Sequence, residues 1–161
     1  MNPNRHILIV DDDRNNVELL RAALASQKFP HEIVVTYEGG EALDYLFGRG
    51  RFTERPSGQP MVVLLDLKMP GVDGFEVLRQ VKLDGALKRI PVVIFSSSND
   101  EPEVGLSYDL GANAFVKKPV DNARFFEVVK SVGNFWADVN EPPPVVPGAP
   151  GVVPFSERAV A

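Results

Sequence analysis

Four short apolar runs punctuate the chain: Ile7 to Val10, Met61 to Leu65, Val92 to Phe95 and Ala114 to Val116, each rich in β-branched or aromatic residues. Runs of this length without polar alternation predict strands buried on both faces. A fifth, weaker strand is Glu32 to Thr36. Between the runs the period lengthens. In Asn15 to Ala25, the residues Val17, Leu20 and Leu24 recur at i, i+3 and i+7, the mark of one helical face. Further helices are predicted at Glu41 to Leu46, Phe75 to Leu83, Pro102 to Leu110 and Ala123 to Val139, with Gly or Pro at the joins. Strand and helix alternate five times. Right-handed crossovers of that length imply an α/β fold, a doubly wound five-stranded parallel sheet covered on both faces.

Two segments stand apart from this alternation. Gly48 to Pro60 mixes Gly, Pro, Arg and Ser without a period and is expected to form a long surface loop. From Glu141 onward the chain is Pro-rich, which cannot continue a helix and favours extended backbone. The expected organisation is therefore one globular unit over residues 1–140 and a tail over residues 141–161, disordered or loosely docked. A length of 161 residues is that of one ordinary domain.

Composition narrows the function classes. With 17 basic and 22 acidic residues the formal charge is −5, which disfavours binding to a nucleic-acid backbone. The absence of cysteine removes disulfides and thiolate chemistry and suits a cytoplasmic protein. No apolar run approaches the roughly 18 residues of a membrane span, and no apolar stretch typical of a secretory signal follows Arg5.

In open parallel sheets the ligand site lies beyond the carboxyl ends of the strands. The residues there are chemically loaded: Asp11, Asp12 and Asp13 after the first apolar run, Asp66 after the third strand, Ser96 to Ser98 after the fourth, and Lys117, Lys118 and Pro119 after the fifth. Carboxylates brought this close repel one another, and a hard divalent cation with oxygen ligands relieves the repulsion. Mg²⁺ is the natural candidate, with Mn²⁺ as its substitute. A carboxylate can also attack phosphorus to give an acyl phosphate, with a lysine and a hydroxyl opposite to contact the phosphoryl oxygens. Asp13 is read differently, as the cap of the first helix.

These residues resemble the receiver domains of two-component response regulators, over roughly residues 5 to 135. The most specific piece is Leu64 to Gly74, which looks like the receiver phosphorylation-site signature, supported by Ile9 to Asp12 and by Gly111 to Pro119. The resemblance implies a flavodoxin-like or CheY-like sheet in the order 2-1-3-4-5. It implies Asp66 as phosphoacceptor, Asp12 as a direct metal ligand, Asp11 as a ligand through water, and the backbone carbonyl of Lys68 as the third protein ligand. Ser96 matches the hydroxyl that bonds the phosphoryl group and Lys118 the lysine that pairs with it, leaving Lys117 to solvent. Phe115 matches the switch aromatic, which without a hydroxyl can act only through its burial. The Lys118–Pro119 bond matches one that is cis in the family. The partner implied is a sensor histidine kinase. A second, less specific likeness, in the long loop before the third strand and in Val128 to Trp136, is to stand-alone regulators paired with bacterial and cyanobacterial phytochrome kinases.

Two rivals use related chemistry. A haloacid-dehalogenase-like phosphatase would carry a second Asp two residues after its nucleophile, where this chain has Lys68. A flavodoxin-like nucleotide binder would present amides to phosphate after the first strand, where three aspartates stand. His6 and His31 have no ligand-like spacing and are expected to be structural or on the surface. Ser97 and Ser98 are read as satisfying loop backbone, with Ser98 placed to tune dephosphorylation. Lys82, Lys88 and Arg89 are expected to form a solvated face. The last helix carries Phe125, Val129, Val132 and Trp136 on one side, with Phe126, Val128, Phe135 and Val139 widening the apolar arc. That width predicts a homodimer through this helix.

Overall fold

The computed structural model describes residues 5–27, 29, 31–55 and 58–144. Along the chain run β1 (His6–Val10), α1 (Arg14–Ala25), β2 (Glu32–Thr36), α2 (Gly39–Phe47), β3 (Val62–Leu65), α3 (Gly74–Leu83), β4 (Val92–Ser96), α4 (Glu101–Asp109), β5 (Ala114–Lys117) and α5 (Asn122–Gly133). The sheet is parallel throughout, in the order β2-β1-β3-β4-β5. Its three inner strands are buried at every residue, as their unbroken apolar runs require. Successive side chains leave a strand on opposite faces. Leu8, Val10, Val63, Leu65 and Ile94 meet α2 and α3 through Leu43, Leu46, Val77 and Leu78. Ile7, Ile9, Val62, Leu64, Val93 and Phe95 meet α1 and α5 through Val17, Leu20, Leu24, Phe125 and Val129.

Four helices begin with an aspartate whose carboxylate accepts backbone N–H groups of the first turn: Asp13 from Asn15 and Asn16, Asp73 from Glu76, Asp100 from Glu103, and Asp121 from Arg124. Each such cap contributes about 0.5–2 kcal/mol. The capping role read for Asp13 is what the structure shows. Two glycines are placed by close approach. A Cβ on Gly39 would lie 2.2 Å from the Val72 carbonyl oxygen, and one on Gly74 2.2 Å from that of Asp66. These contacts seat the loop after β3 against the start of α2.

Three expectations need correction. The segment before β3 is more ordered than a solvated loop. Gly50–Phe52 forms a 3-10 turn, and the Arg55 guanidinium stacks on the Tyr45 ring at 4.3 Å while its Nε donates to the Tyr45 carbonyl at 2.7 Å. The final helix is not α-helical to Val139. Asn134–Val139 is π-helical, and the Asn140 N–H donates to the Phe135 carbonyl five residues back at 2.6 Å. The wider turn moves the next buried position from Trp136 to Ala137, leaving Trp136 half-buried. Lys82 is not part of a solvated face. Its Nζ donates to the carbonyls of Lys88 at 3.1 Å and Ile90 at 2.7 Å and to Asn113 Oδ1 at 3.0 Å. It thereby joins α3, the approach to β4 and the start of β5. Lys88 and Arg89 are exposed as expected.

His6 is buried with Tyr45, whose hydroxyl lies 2.7 Å from Nε2, and His31 packs edge-on to Phe29, so both histidines have structural surroundings. Only residues 141–144 of the tail are described, with Glu141 3.5 Å from Arg5; the expected disorder or docking of residues 145–161 lies outside the described residues. No helix among the described residues is long and apolar enough to cross a membrane.

Replacing Lys82 by Met keeps the aliphatic stem but takes the ammonium away from the Lys88 and Ile90 carbonyls, while Asn113 Oδ1 keeps the Val92 N–H at 2.8 Å. Such a variant is expected to lose about 1–3 kcal/mol of stability, whereas Lys88→Ala should stay within about 0.5 kcal/mol of the parent. Urea unfolding of the two variants measures the difference.

Candidate functional site

The backbone ladders run one residue past the strands and so fix the rim. Asp66 N–H donates to the Val10 carbonyl at 2.9 Å, Lys118 N–H to the Ser96 carbonyl at 2.7 Å, and Asp11 N–H to the Thr36 carbonyl at 3.3 Å. Asp11 and Asp66 thereby follow directly on the paired residues Val10 and Leu65, and Lys118 follows the pair Ser96 and Lys117. Asp11, Ser96, Asp66 and Lys118 are buried, whereas Asp12 is exposed.

Lys118 Nζ lies 2.8 Å from Asp11 Oδ2 and 3.4 Å from Asp66 Oδ1. The other oxygen of Asp11 accepts the Asp13 N–H at 2.9 Å, so the carboxylate is held from both sides. One ligand oxygen from each of Asp11, Asp12 and Asp66 falls within 4.8 Å of the others. The Asp66 carboxyl is pushed up to about 6, chiefly by burial; Lys118 opposes the rise, and Asp11 and Asp12 contribute to it. Three carboxylates against one ammonium leave an excess of two negative charges. An all-oxygen donor set with one member open to solvent fits a hard divalent cation.

The structure thus brings Asp11, Asp12, Asp66 and Lys118 into one cluster. Ser96 is tied to it through the Lys118 backbone, and its Oγ accepts the Ser98 N–H at 3.2 Å. Ser98 Oγ lies 3.4 Å from Oδ2 of Asp100, the residue that caps α4, so its contact is with a side chain and not with loop backbone. Phe115 is half-buried on β5, paired with Ile94 and packed on the α2–α3 side of the sheet. Lys117 is exposed, as expected.

The cis bond expected before Pro119 is absent: no peptide bond among the described residues is cis. Lys118 reaches inward without one. The bond from its N–H to Ser96 prolongs the β5 pairing, so simple strand alternation turns Lys117 out and Lys118 in. Sequence reasoning missed Glu103, whose Oε1 lies 3.4 Å from Lys68 Nζ and ties the loop after β3 to α4. Its partner is 35 positions away and reachable only once both loops are placed.

Residues 7–130 match the response regulator receiver domain family. The chain is 34% identical over 137 residues to the response regulator Rcp1 of Synechocystis sp., covering 85% of this chain and 92% of Rcp1. Among solved structures, the phosphorylated cyanobacterial phytochrome response regulator RcpA superposes with a TM-score of 0.82 at 37% identity, over 86% of this chain and 98% of RcpA. The Mn²⁺-bound form of Rcp1 superposes at 0.81 with 32% identity, over 86% and 99%. The bacteriophytochrome response regulator AtBRR is 49% identical with a TM-score of 0.68, over 85% and 98%.

The raised Asp66 carboxyl has a consequence for the metal-free protein. Below its ordinary value of 3.8 the group is protonated in both the folded and the unfolded chain, with no effect on stability. Between 3.8 and about 6 the unfolded chain ionises first, so stability falls as pH rises, and above about 6 the loss is complete. A displacement of this size amounts to about 3 kcal/mol. Asp66→Asn is therefore expected to stabilise the protein in chelator by about 1–3 kcal/mol at neutral pH, with the gain vanishing toward pH 4. Urea titrations across that range check both the sign and the window.

Proposed function

The chain belongs to the response regulator receiver domain family, and from that premise we propose that Asp66 accepts a phosphoryl group from a sensor histidine kinase and that the signal leaves by protein association. The observation that carries this reading is a buried aspartate held beside one lysine and two further carboxylates at the strand ends. The receiver unit is proposed to occupy residues 1–140 and the Pro-rich tail residues 141–161. A cytoplasmic location suits the cysteine-free sequence. The haloacid-dehalogenase-like reading has no support in the family match.

Asp12, Asp66 and the Lys68 carbonyl would hold Mg²⁺ or Mn²⁺, with Asp11 acting through water, and the ion would neutralise charge on the transferring phosphoryl oxygens. The exposure of Asp12 supports it as the direct ligand. Asp11 is already engaged by Lys118 and the Asp13 amide. An Asp66 carboxylate oxygen forms the bond to phosphorus while the bond from phosphorus to the kinase imidazole nitrogen breaks. The electron pair returns to that nitrogen, and with a proton on the other ring nitrogen the imidazole leaves neutral. Lys118 then exchanges its contact with Asp66 for a phosphoryl oxygen, and the Ser96 hydroxyl turns from the Ser98 amide to another. Chemistry of this kind turns over only the chain's own Asp66, so the protein is not an enzyme acting on a separate substrate. Phe115, beside Ile94 and without a hydroxyl, registers the change through its depth of burial.

A phytochrome-type kinase is the partner we favour, because Rcp1, RcpA and AtBRR combine extensive coverage with substantial identity. We also propose a homodimer through the last helix. Phe135 and Val139 on its π-helical end are 46% and 64% exposed, while Phe126, Val128, Val132 and Trp136 are only partly covered.

Incubation with a histidine kinase and Mg²⁺ should give one acid-labile phosphoryl group per chain by intact-protein mass. Asp66→Asn or excess chelator should abolish it, whereas Lys118→Ala should retain labelling and lose the conformational response. Labelling that survives in Asp66→Asn would overturn the assignment. In sedimentation, a phosphoryl mimic is expected to tighten a dimer that Phe135→Asp disrupts; a parent chain that stays monomeric in both states would remove the dimer from the picture.

A further inference from the structure

Arg14 opens α1, directly after the cap Asp13 and two residues beyond Asp12. Its position is electrostatically awkward. The amino end of a helix carries partial positive charge, which disfavours a cation in the first turn. Carboxylates stand beside it in sequence, yet among the described residues Arg14 takes part in no ion pair. Its guanidinium instead lies over the Tyr37 ring, 4.1 Å from the centroid. Tyr37 follows Thr36, the β2 partner of Val10, so this ring stands at the level of Asp11 on the same rim. The stack and the helix dipole act in opposite directions with similar strength. Fold stability therefore gives little reason for an arginine here.

The other cations at the rim are differently placed. Lys118 is buried between Asp11 and Asp66, and Lys68 is paired with Glu103. Lys117 is exposed on the far side, at the end of β5. A phosphoryl donor is an anion that must approach an acidic mouth. The Arg14 guanidinium rests on a ring that directly follows the β2 partner of Val10, and charges within about 8 Å of one another are only partly screened at physiological salt.

We propose that Arg14, held on Tyr37, is a specificity-determining residue that draws dianionic phosphoryl donors to Asp66. This rests on the reading of Asp66 as phosphoacceptor. In the step concerned, an Asp66 oxygen bonds to the phosphorus of an acyl phosphate, the bond from phosphorus to the acyl oxygen breaks, and the carboxylate leaves with its electron pair. Arg14 takes no part in that exchange; it raises the frequency with which the donor reaches it.

The test compares the full chain with Arg14→Gln, Arg14→Lys and Lys117→Gln in Mg²⁺, using acetyl phosphate as a dianionic donor and phosphoramidate as a singly charged one. Arg14→Gln should slow labelling by acetyl phosphate about three- to tenfold at low salt, and labelling by phosphoramidate about twofold or less. The gap should close toward about 0.5 M salt, and Arg14→Lys should recover most of the rate. A merely structural role would slow both donors alike at every salt concentration, and that result overturns the proposal. So does an equal loss in Lys117→Gln, which would make the effect one of net charge alone. If the parent chain is not labelled at all, it is the phosphoacceptor reading that fails; if it is labelled and Arg14→Gln matches it with both donors, only the role of Arg14 fails.

Discussion

The constraint on which the rest depends is the convergence of three carboxylates and one ammonium at the ends of β1, β3 and β5. Lys118 bridges Asp11 and Asp66, yet it cannot neutralise the cluster, and the burial of Asp66 makes the remaining imbalance costly. A cluster of this kind attracts further positive charge. The fold holds its carboxylates together against their mutual repulsion. The ladders extend beyond the strands, the Asp13 amide grips Asp11, and Gly74 lets the following loop close over the Asp66 backbone. The metal binding and phosphoryl acceptance proposed for this site both draw on that excess of acid.

Much of this was legible in the chain because strand ends are legible. Val10, Leu65, Phe95 and Val116 terminate apolar runs, and parallel crossovers bring such termini to one edge, so the identities of Asp11, Asp66 and Lys118 were readable before their distances were known. Of the four aspartate caps Asp13 was readable in the same way, as an acidic residue ahead of a helical period. What escaped depended on contacts distant in sequence. Lys82 looks like any surface lysine on α3 until Asn113 and the carbonyls of Lys88 and Ile90 are seen around its ammonium. The order within residues 48–60 depends on Arg55 finding the Tyr45 carbonyl and ring.

The π-helical end of the last helix shows why periodicity misleads at a terminus. The apolar pattern through Trp136 fits an α-helix, but one wider turn rotates everything after Gly133 and exchanges Trp136 for Ala137 in the interior. Gly133 also marks a close approach to α1, since a Cβ there would lie 2.5 Å from a methyl of Leu24. Tight helix contact and the change of winding therefore coincide, and the aromatic residues beyond them are displaced outward.

The aspartate caps carry a consequence beyond the helices they begin. Helices that follow parallel strands start at the carboxyl edge of the sheet, so Asp13, Asp73, Asp100 and Asp121 stand around the same rim as Asp11, Asp12 and Asp66. Lys82, Lys88 and Arg89 lie toward the opposite edge, ahead of β4. The carboxyl edge of the sheet thus gathers seven aspartates around one rim. A partner with a basic face is drawn toward that rim before any contact is made.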